Sequence, residues 1–401
     1  MERSYAGILQ RHFLENRQMA FVSGPRQVGK TTLARSISTE HIYRNWDNQN
    51  DRQTILSGPD SLARDLALDQ IWSKKPIVVL DELHKYRKWK QFTKGFFDSY
   101  GDRTGILING SARLNIYRKT GDSLMGRFFH YRLHPLSVAE VAHPVGTDAL
   151  LRPPARESDD VFQNLMRFGG FPEPFIRAEQ RFFNKWSRLR HEQLFQGDLR
   201  DLGTVSDIAL IETLARIVTH QSGQLVNYTT LSKQLNVAVD TVRRWLGVLG
   251  DLYFSFPVRP YFPNVPKALR RQPKVYLWDW SLVENAGQRA ENMVAQHLLK
   301  AVHFWTDNEF GSFDLHFLRD KQKREVDFLI TREAKPWILI EVKQSATGRV
   351  SPALKYYADI LPVDHAFQVE LDASYVDHDC FAASNGRPIR VPGPTLLSQL
   401  V

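Results

Sequence analysis

The 401-residue chain is 42% apolar and 24% charged, a globular balance and not a disordered one, and its length predicts two or three domains. A formal charge of +9 favours an acidic partner such as nucleic acid. The single cysteine, Cys380, excludes an internal disulfide framework and a cysteine-based zinc site; no apolar run approaches the ~20 residues of a bilayer span and Met1 to Tyr5 show no signal-peptide h-region, so a cytoplasmic protein without a membrane partner is expected.

Residues 4–17 carry apolar residues at helical spacing and predict a helix beside the first strand. The apolar run Met19 to Val22 then leads into Gly24-Pro25-Arg26-Gln27-Val28-Gly29-Lys30-Thr31-Thr32, and a helix-forming segment follows to Ile37. Strand, glycine loop and helix in that order make a phosphate-binding loop. Gly24 and Gly29 let the backbone N–H groups turn inward around an anion. Lys30 can reach the β- and γ-phosphates of ATP, and the Thr31 hydroxyl can ligate Mg²⁺.

His41 to Asp47 reads as a second strand ending in an acidic turn, followed by polar helical sequence to about Lys75. Pro76 to Leu80 is a short continuous apolar run, as in a buried parallel strand, and it ends in Asp81-Glu82. Beside a phosphate loop, Asp81 would hold Mg²⁺ and Glu82 would orient and deprotonate the attacking water. Lys85 to Lys94 is strongly basic, either a solvated helix face or a nucleic-acid contact. Gly105 to Ile108 is another apolar run, ending in Asn109-Gly110-Ser111; Asn109 or Ser111 would sense the γ-phosphate, unless the pair is a plain Asn-Gly turn. Arg127 is a candidate arginine finger acting on a neighbouring subunit's nucleotide, with a surface or structural arginine as the alternative.

The proline-rich stretch Pro135 to Pro154 marks the exit from the first domain, giving an ATPase domain over 1–150. Residues 151–225 are mostly helical, broken at Gly169-Gly170-Phe171-Pro172, and read as a lid. Over 226–273, a capped helix from Tyr228 and a second helix through Val239 to Leu249 have helix-turn-helix spacing. Arg243 and Arg244 lie on its second helix, and Lys267, Arg270, Arg271 and Lys274 form a basic stretch suited to a DNA-binding wing.

In 274–401, Asp314 to Arg319, Arg324 to Ile330 and Trp337 to Lys343 read as successive strands, the first two joined by the polar turn 320–323. Asp327, Glu341 and Lys343 form an Asp…Glu-x-Lys pattern, with Glu341 and Lys343 on one strand face. Two such carboxylates can hold a divalent metal while the lysine orients water for phosphodiester cleavage, and Glu291 of an upstream helix can add a third carboxylate.

These landmarks together, with Leu133-His134-Pro135-Leu136-Ser137 and Gly169-Gly170-Phe171-Pro172-Glu173, span nearly the whole chain. The chain resembles a family of prokaryotic AAA-type P-loop ATPases whose C-terminal domain, of unknown function, is similar to the restriction-endonuclease-like fold. The residue patterns and the resemblance together give an α/β architecture as the expectation: a P-loop NTPase parallel-sheet domain, a helical lid, a winged helix-turn-helix and a C-terminal α/β restriction-endonuclease-like domain. The resemblance also implies use of ATP and Mg²⁺ through Lys30, Thr31, Asp81 and Glu82, and a homo-oligomer, with a hexameric ring as the guess. Two positions depart from the family pattern: Asn109 stands where threonine is expected, and Asp279-Trp280-Ser281 lacks an expected glycine.

Three functions follow from these motifs. The leading one is an ATP-driven motor or remodeller acting on duplex or branched DNA. The others are an ATP-gated metal-dependent nuclease and a nucleotide-controlled switch that binds a protein partner.

Overall fold

The computed structural model describes residues 3–37, 41–110, 124–143, 146, 148–201, 207–261, 272–346 and 348–401. Two compact units emerge, one of Met1–His134 with Pro144–Asp148, the other of Pro135–His143 with Ala149–Val401.

The first unit begins with helix α1 (Tyr5–Glu15), strand β1 (Met19–Ser23), helix α2 (Lys30–Ser36) and strand β2 (His41–Asn45). Helices α3 (Gln49–Leu56) and α4 (Pro59–Asp65) lead to β3 (Ile77–Asp81), α5 (Trp89–Tyr100), β4 (Gly105–Gly110) and β5 (Phe128–Arg132). The five strands are all parallel, in the order β2-β3-β4-β1-β5. Parallel strands covered on both faces need apolar side chains at every position, hence the uninterrupted runs of β1 and β3. Phe21, Val78, Leu80, Ile106 and Ile108 meet Trp89, Phe92, Phe96 and Phe97 of α5 in one core. The basic stretch 85–94 is therefore amphipathic: its aromatic residues enter the core while Arg87 and Lys88 are exposed.

The second unit holds a helical region and a mixed seven-stranded sheet. Its strands are β6 (Ser255–Pro260), β7 (Lys274–Leu277), β8 (Phe313–Arg319), β9 (Glu325–Arg332), β10 (Lys335–Lys343), β11 (His365–Glu370) and β12 (Pro388–Pro392). They lie in the order β12-β11-β10-β9-β8-β6-β7. The long helix Ala286–Asp307 is largely buried, with Met293, Leu298, Phe304 and Trp305 inside.

Two boundaries differ from the sequence reading. The chain leaves the first unit at His134 rather than near 150, because Pro135–His143 belongs to the second unit, and Pro144–Asp148 then returns to the first. There the Lys300 ammonium, with almost no exposure, bonds the Pro135 carbonyl at 3.2 Å, the Ser137 hydroxyl at 2.9 Å and the Glu140 carboxylate at 2.5 Å. Nor does a domain end at 273. Strands β6 and β7 pair with each other antiparallel, and β6 continues the sheet by pairing parallel with β8. The strands β6 and β7, which follow the two helices, thus form one edge of the C-terminal sheet.

Candidate active site

The strand order decides which side chains meet. Because β4 lies between β1 and β3, the carboxyl ends of these strands present the phosphate loop, Asn109 and Asp81-Glu82 side by side. In the loop, Gly24 passes so close to the Leu133 carbonyl that a Cβ would stand 2.3 Å from its oxygen. Gly29 turns the chain into α2 at φ +99°, a region that favours glycine.

Lys30 is buried, and its ammonium donates to the carbonyls of Gly24 at 3.0 Å and Pro25 at 2.8 Å. The Thr31 hydroxyl donates to Asp81 Oδ2 at 2.9 Å. Tyr43, on the neighbouring strand β2, donates to the same oxygen. Burial, reinforced by its bond to Asp81, raises the Tyr43 pKa far above that of an ordinary phenol, so the hydroxyl stays a donor. Arg35, four residues beyond Thr31 on α2, stacks 4.8 Å from the Tyr43 ring centre. Tyr43 belongs to the site by register alone: β2 pairs Asn45 with Asp81 and Tyr43 with Val79.

Glu82 sits in the left-handed region at φ +55°. Its carboxylate lies 3.2 Å from the Lys85 ammonium and 3.7 Å from His84 Nε2. Asn109 is fully buried; its amide donates to the Lys30 carbonyl at 3.4 Å, and its Oδ1 has no hydrogen-bond partner. A glycine loop, a buried ammonium, a hydroxyl–carboxylate pair and an orphaned amide oxygen at one sheet edge form a donor set that fits Mg·ATP. Lys30 would hold the phosphates, and Thr31 and Asp81 the metal.

Arg127 lies elsewhere. Its carbonyl accepts from Met19 N–H at the start of β1, the sheet edge opposite the loop, and its guanidinium pairs with Asp98 at 2.9 Å. Ser111 lies outside the described residues, as do Lys267, Arg270 and Arg271. Arg243 and Arg244 are exposed on the helix Val239–Asp251, which follows Tyr228–Leu235 after a three-residue turn containing Asn236 at φ +53°. Arg243 also stacks on Tyr228, 5.0 Å from the ring centre.

The second constellation assembles with members that its sequence pattern does not include, chiefly Lys274 and Glu325. Lys274, read from sequence as a wing residue, is buried. Its ammonium lies 2.7 Å from Glu325, 3.1 Å from Glu291 and 3.7 Å from Asp327. Glu341 pairs with Lys343 at 2.7 Å, as the strand period requires. Burial first, and then the charge of Asp327, push Glu291 and Glu341 each up to about 7. Among the described residues, no group of three or more His, Cys, Asp or Glu is disposed to hold a metal ion. Nor is any described helix long and apolar enough to cross a membrane.

Residues 16–142 match the family model of an AAA domain, 159–292 a domain of unknown function, and 286–375 a second domain of unknown function. An uncharacterized protein of Mycobacterium tuberculosis is 24% identical over 363 residues, covering 88% of this chain and 77% of its own. One of Haemophilus influenzae is 22% identical over 346 residues, covering 80% and 81%. Among solved structures, AMPPCP-bound DnaA from Aquifex aeolicus aligns with a TM-score of 0.33 and 11% identity, covering 62% of this chain and 86% of that one. With its parallel sheet, phosphate loop and Asp81-Glu82 edge, the part of the chain that matches the AAA model is a P-loop domain of the AAA ATPase type.

Proposed function

We propose that this chain is an ATP- and Mg²⁺-dependent ATPase whose work is done on DNA. The observation that carries the first part is the convergence of Lys30, Thr31, Asp81, Glu82 and Asn109 on one edge of the parallel sheet. Bound Mg·ATP supplies an electrophilic phosphoryl group and a divalent charge beside it. Lys30 and the loop N–H groups position the phosphates, and Asn109 lies at the middle strand tip, where its unpaired oxygen can orient the attacking water. Glu82 takes the proton from that water.

The DNA reading is supported by the +9 charge and by two helices in helix-turn-helix succession with Arg243 and Arg244 exposed on the second. Arg127, at the sheet edge opposite its own phosphate loop, suits a role on the nucleotide of a neighbouring copy in a homo-oligomer. The test is the ATPase rate with and without single-stranded, duplex and four-way DNA, for the wild type, Lys30→Ala, Glu82→Gln and Arg243→Ala/Arg244→Ala. Hydrolysis lost in Lys30→Ala supports the ATPase. DNA stimulation that is salt-sensitive and weakened in the double arginine variant supports the DNA role; hydrolysis indifferent to every DNA rejects it.

A further inference from the structure

The carboxylate centre of the second unit draws on four elements. Lys274 and Tyr276 come from β7, Glu325 and Asp327 from β9, Glu341 and Lys343 from β10, and Glu291 from the helix Ala286–Asp307. Arg319 of β8 closes one side. The sequence pattern alone suggests a divalent metal. The geometry of each oxygen says otherwise.

An ammonium has three N–H donors, and the Lys274 ammonium faces three carboxylates at 2.7, 3.1 and 3.7 Å. Four further donors hold carboxylate oxygens of the centre. Tyr276 donates to Glu291 Oε1 at 2.6 Å, the oxygen that Lys274 also bonds. Arg319 holds Glu325 Oε2 at 2.5 Å, and the Val342 N–H holds Asp327 Oδ2 at 2.9 Å. Lys343 holds Glu341 Oε1. Glu341 Oε2 is buried and has no hydrogen-bond partner. A divalent ion of the Mg²⁺ type asks for near-octahedral oxygens at about 2.0–2.1 Å. Here Glu325 has both oxygens on fixed donors, and a positive charge already stands among the carboxylates.

We propose that Lys274 is the resident cation of this centre, holding Glu291, Glu325 and Asp327 together in place of a divalent ion, so that the Asp…Glu-x-Lys constellation is assembled without metal. Lys274 is the residue that decides metal specificity here: its ammonium repels a divalent ion that the surrounding carboxylates would otherwise attract. Replacing it with an uncharged side chain of similar length turns the centre into a cation site.

The probe is Mn²⁺, titrated without nucleotide into the full chain and followed by electron paramagnetic resonance. All proteins carry Asp81→Asn, so that the phosphate-loop site is silent. The expected result is no Mn²⁺ bound to the Lys274 protein that Asp327→Asn removes, and one Mn²⁺ bound to Lys274→Met at least tenfold more tightly, lost again when Asp327→Asn is added. A Mn²⁺ bound to the Lys274 protein and lost in Asp327→Asn overturns the proposal, as does a folded Lys274→Met that gains no site. Should Lys274→Met fail to fold, the comparison between the Lys274 protein and Asp327→Asn still decides: no Asp327-dependent Mn²⁺ supports a resident ammonium.

Discussion

The Lys85 ammonium stands 3.2 Å from the carboxylate of Glu82, and its other partner is Asp47 at 2.5 Å. Burial lowers the lysine's pKa, but the two carboxylates outweigh it and keep the ammonium charged. The proposed catalytic base is thus held in an ion pair. Lys85→Ala should raise the basal steady-state ATPase. A partly buried, singly bonded pair of this kind is worth on the order of 0.2–1 kcal/mol, which sets the rise at roughly threefold. An unchanged or lower rate would show that Lys85 does not restrain Glu82.

Lys30→Ala and Glu82→Gln should separate binding from turnover. Lys30→Ala should weaken ATP binding, read by a fluorescent nucleotide. Glu82→Gln should bind ATP normally and hydrolyse it about 10²–10⁴-fold more slowly, the usual span for a lost general base. Equal hydrolysis in Glu82→Gln and wild type would remove Glu82 from the chemistry.

Tyr43 and Thr31 share the Oδ2 oxygen of Asp81. Tyr43→Phe removes one donor and leaves the ring against Arg35. The concentration of Mg²⁺ giving half-maximal ATPase should rise about tenfold, in line with the loss of other outer partners of metal ligands, while the rate at saturating Mg²⁺ changes little. The opposite split, a lower maximum at an unchanged Mg²⁺ requirement, would place Tyr43 in the chemical step.

Lys300 and Glu140 form a buried ion pair with further bonds to Ser137 and Pro135. Lys300→Met takes the ammonium away from the Glu140 carboxylate and should destabilise the second unit by about 3–5 kcal/mol in urea unfolding. Lys300→Met/Glu140→Met should recover most of that loss. A double variant as unstable as the single one would show that packing, not charge, dominates.

His297 is buried, with its Nδ1–H on the Met293 carbonyl and its Nε2 accepting from the Val138 N–H. Burial lowers its pKa to about 3. The folded state keeps it neutral while the unfolded state takes up a proton near pH 6.5, so its contribution is intact above that pH and is lost as pH falls toward 3. At pH 5 the loss is about 2 kcal/mol. Glu291 and Glu341 act with the opposite sign, because their raised pKa values let the folded state bind protons first as pH falls from 7. The measurement is therefore the difference in unfolding free energy between wild type and His297→Gln, at pH 7.5 and at pH 5. A difference that does not change with pH contradicts the assignment.

Much of the nucleotide site was legible because its parts are contiguous. A strand, a glycine loop and Lys30-Thr31 are read from the continuous stretch Met19 to Thr31, and Asp81-Glu82 from one apolar run. Tyr43 and Lys85 were not legible as site residues. One arrives by strand register, the other by the turn that places Lys85 three residues after Glu82. The Asp…Glu-x-Lys pattern was legible as geometry, since alternation puts Glu341 and Lys343 on one face. Its chemistry was not, because Lys274 looks like one more cation in a basic stretch until β7 joins the sheet. That joining is itself non-local: β6 contains Pro257 and Pro260, which mask a strand, and its partner β8 lies more than fifty residues on.

The segment Pro135–His143 follows β5 of one sheet in sequence and packs with the other unit. The consequence is practical for anyone dissecting the protein. A cut at residue 150, where the sequence invites it, would carry Glu140 and Ser137 away with the ATPase and strand Lys300 in the remaining half. Because the chain passes between the units three times, at 134–135, 143–144 and 148–149, no single cleavage within that stretch yields both units whole. Probing one unit apart from the other calls for point substitutions in the intact chain rather than for scissors.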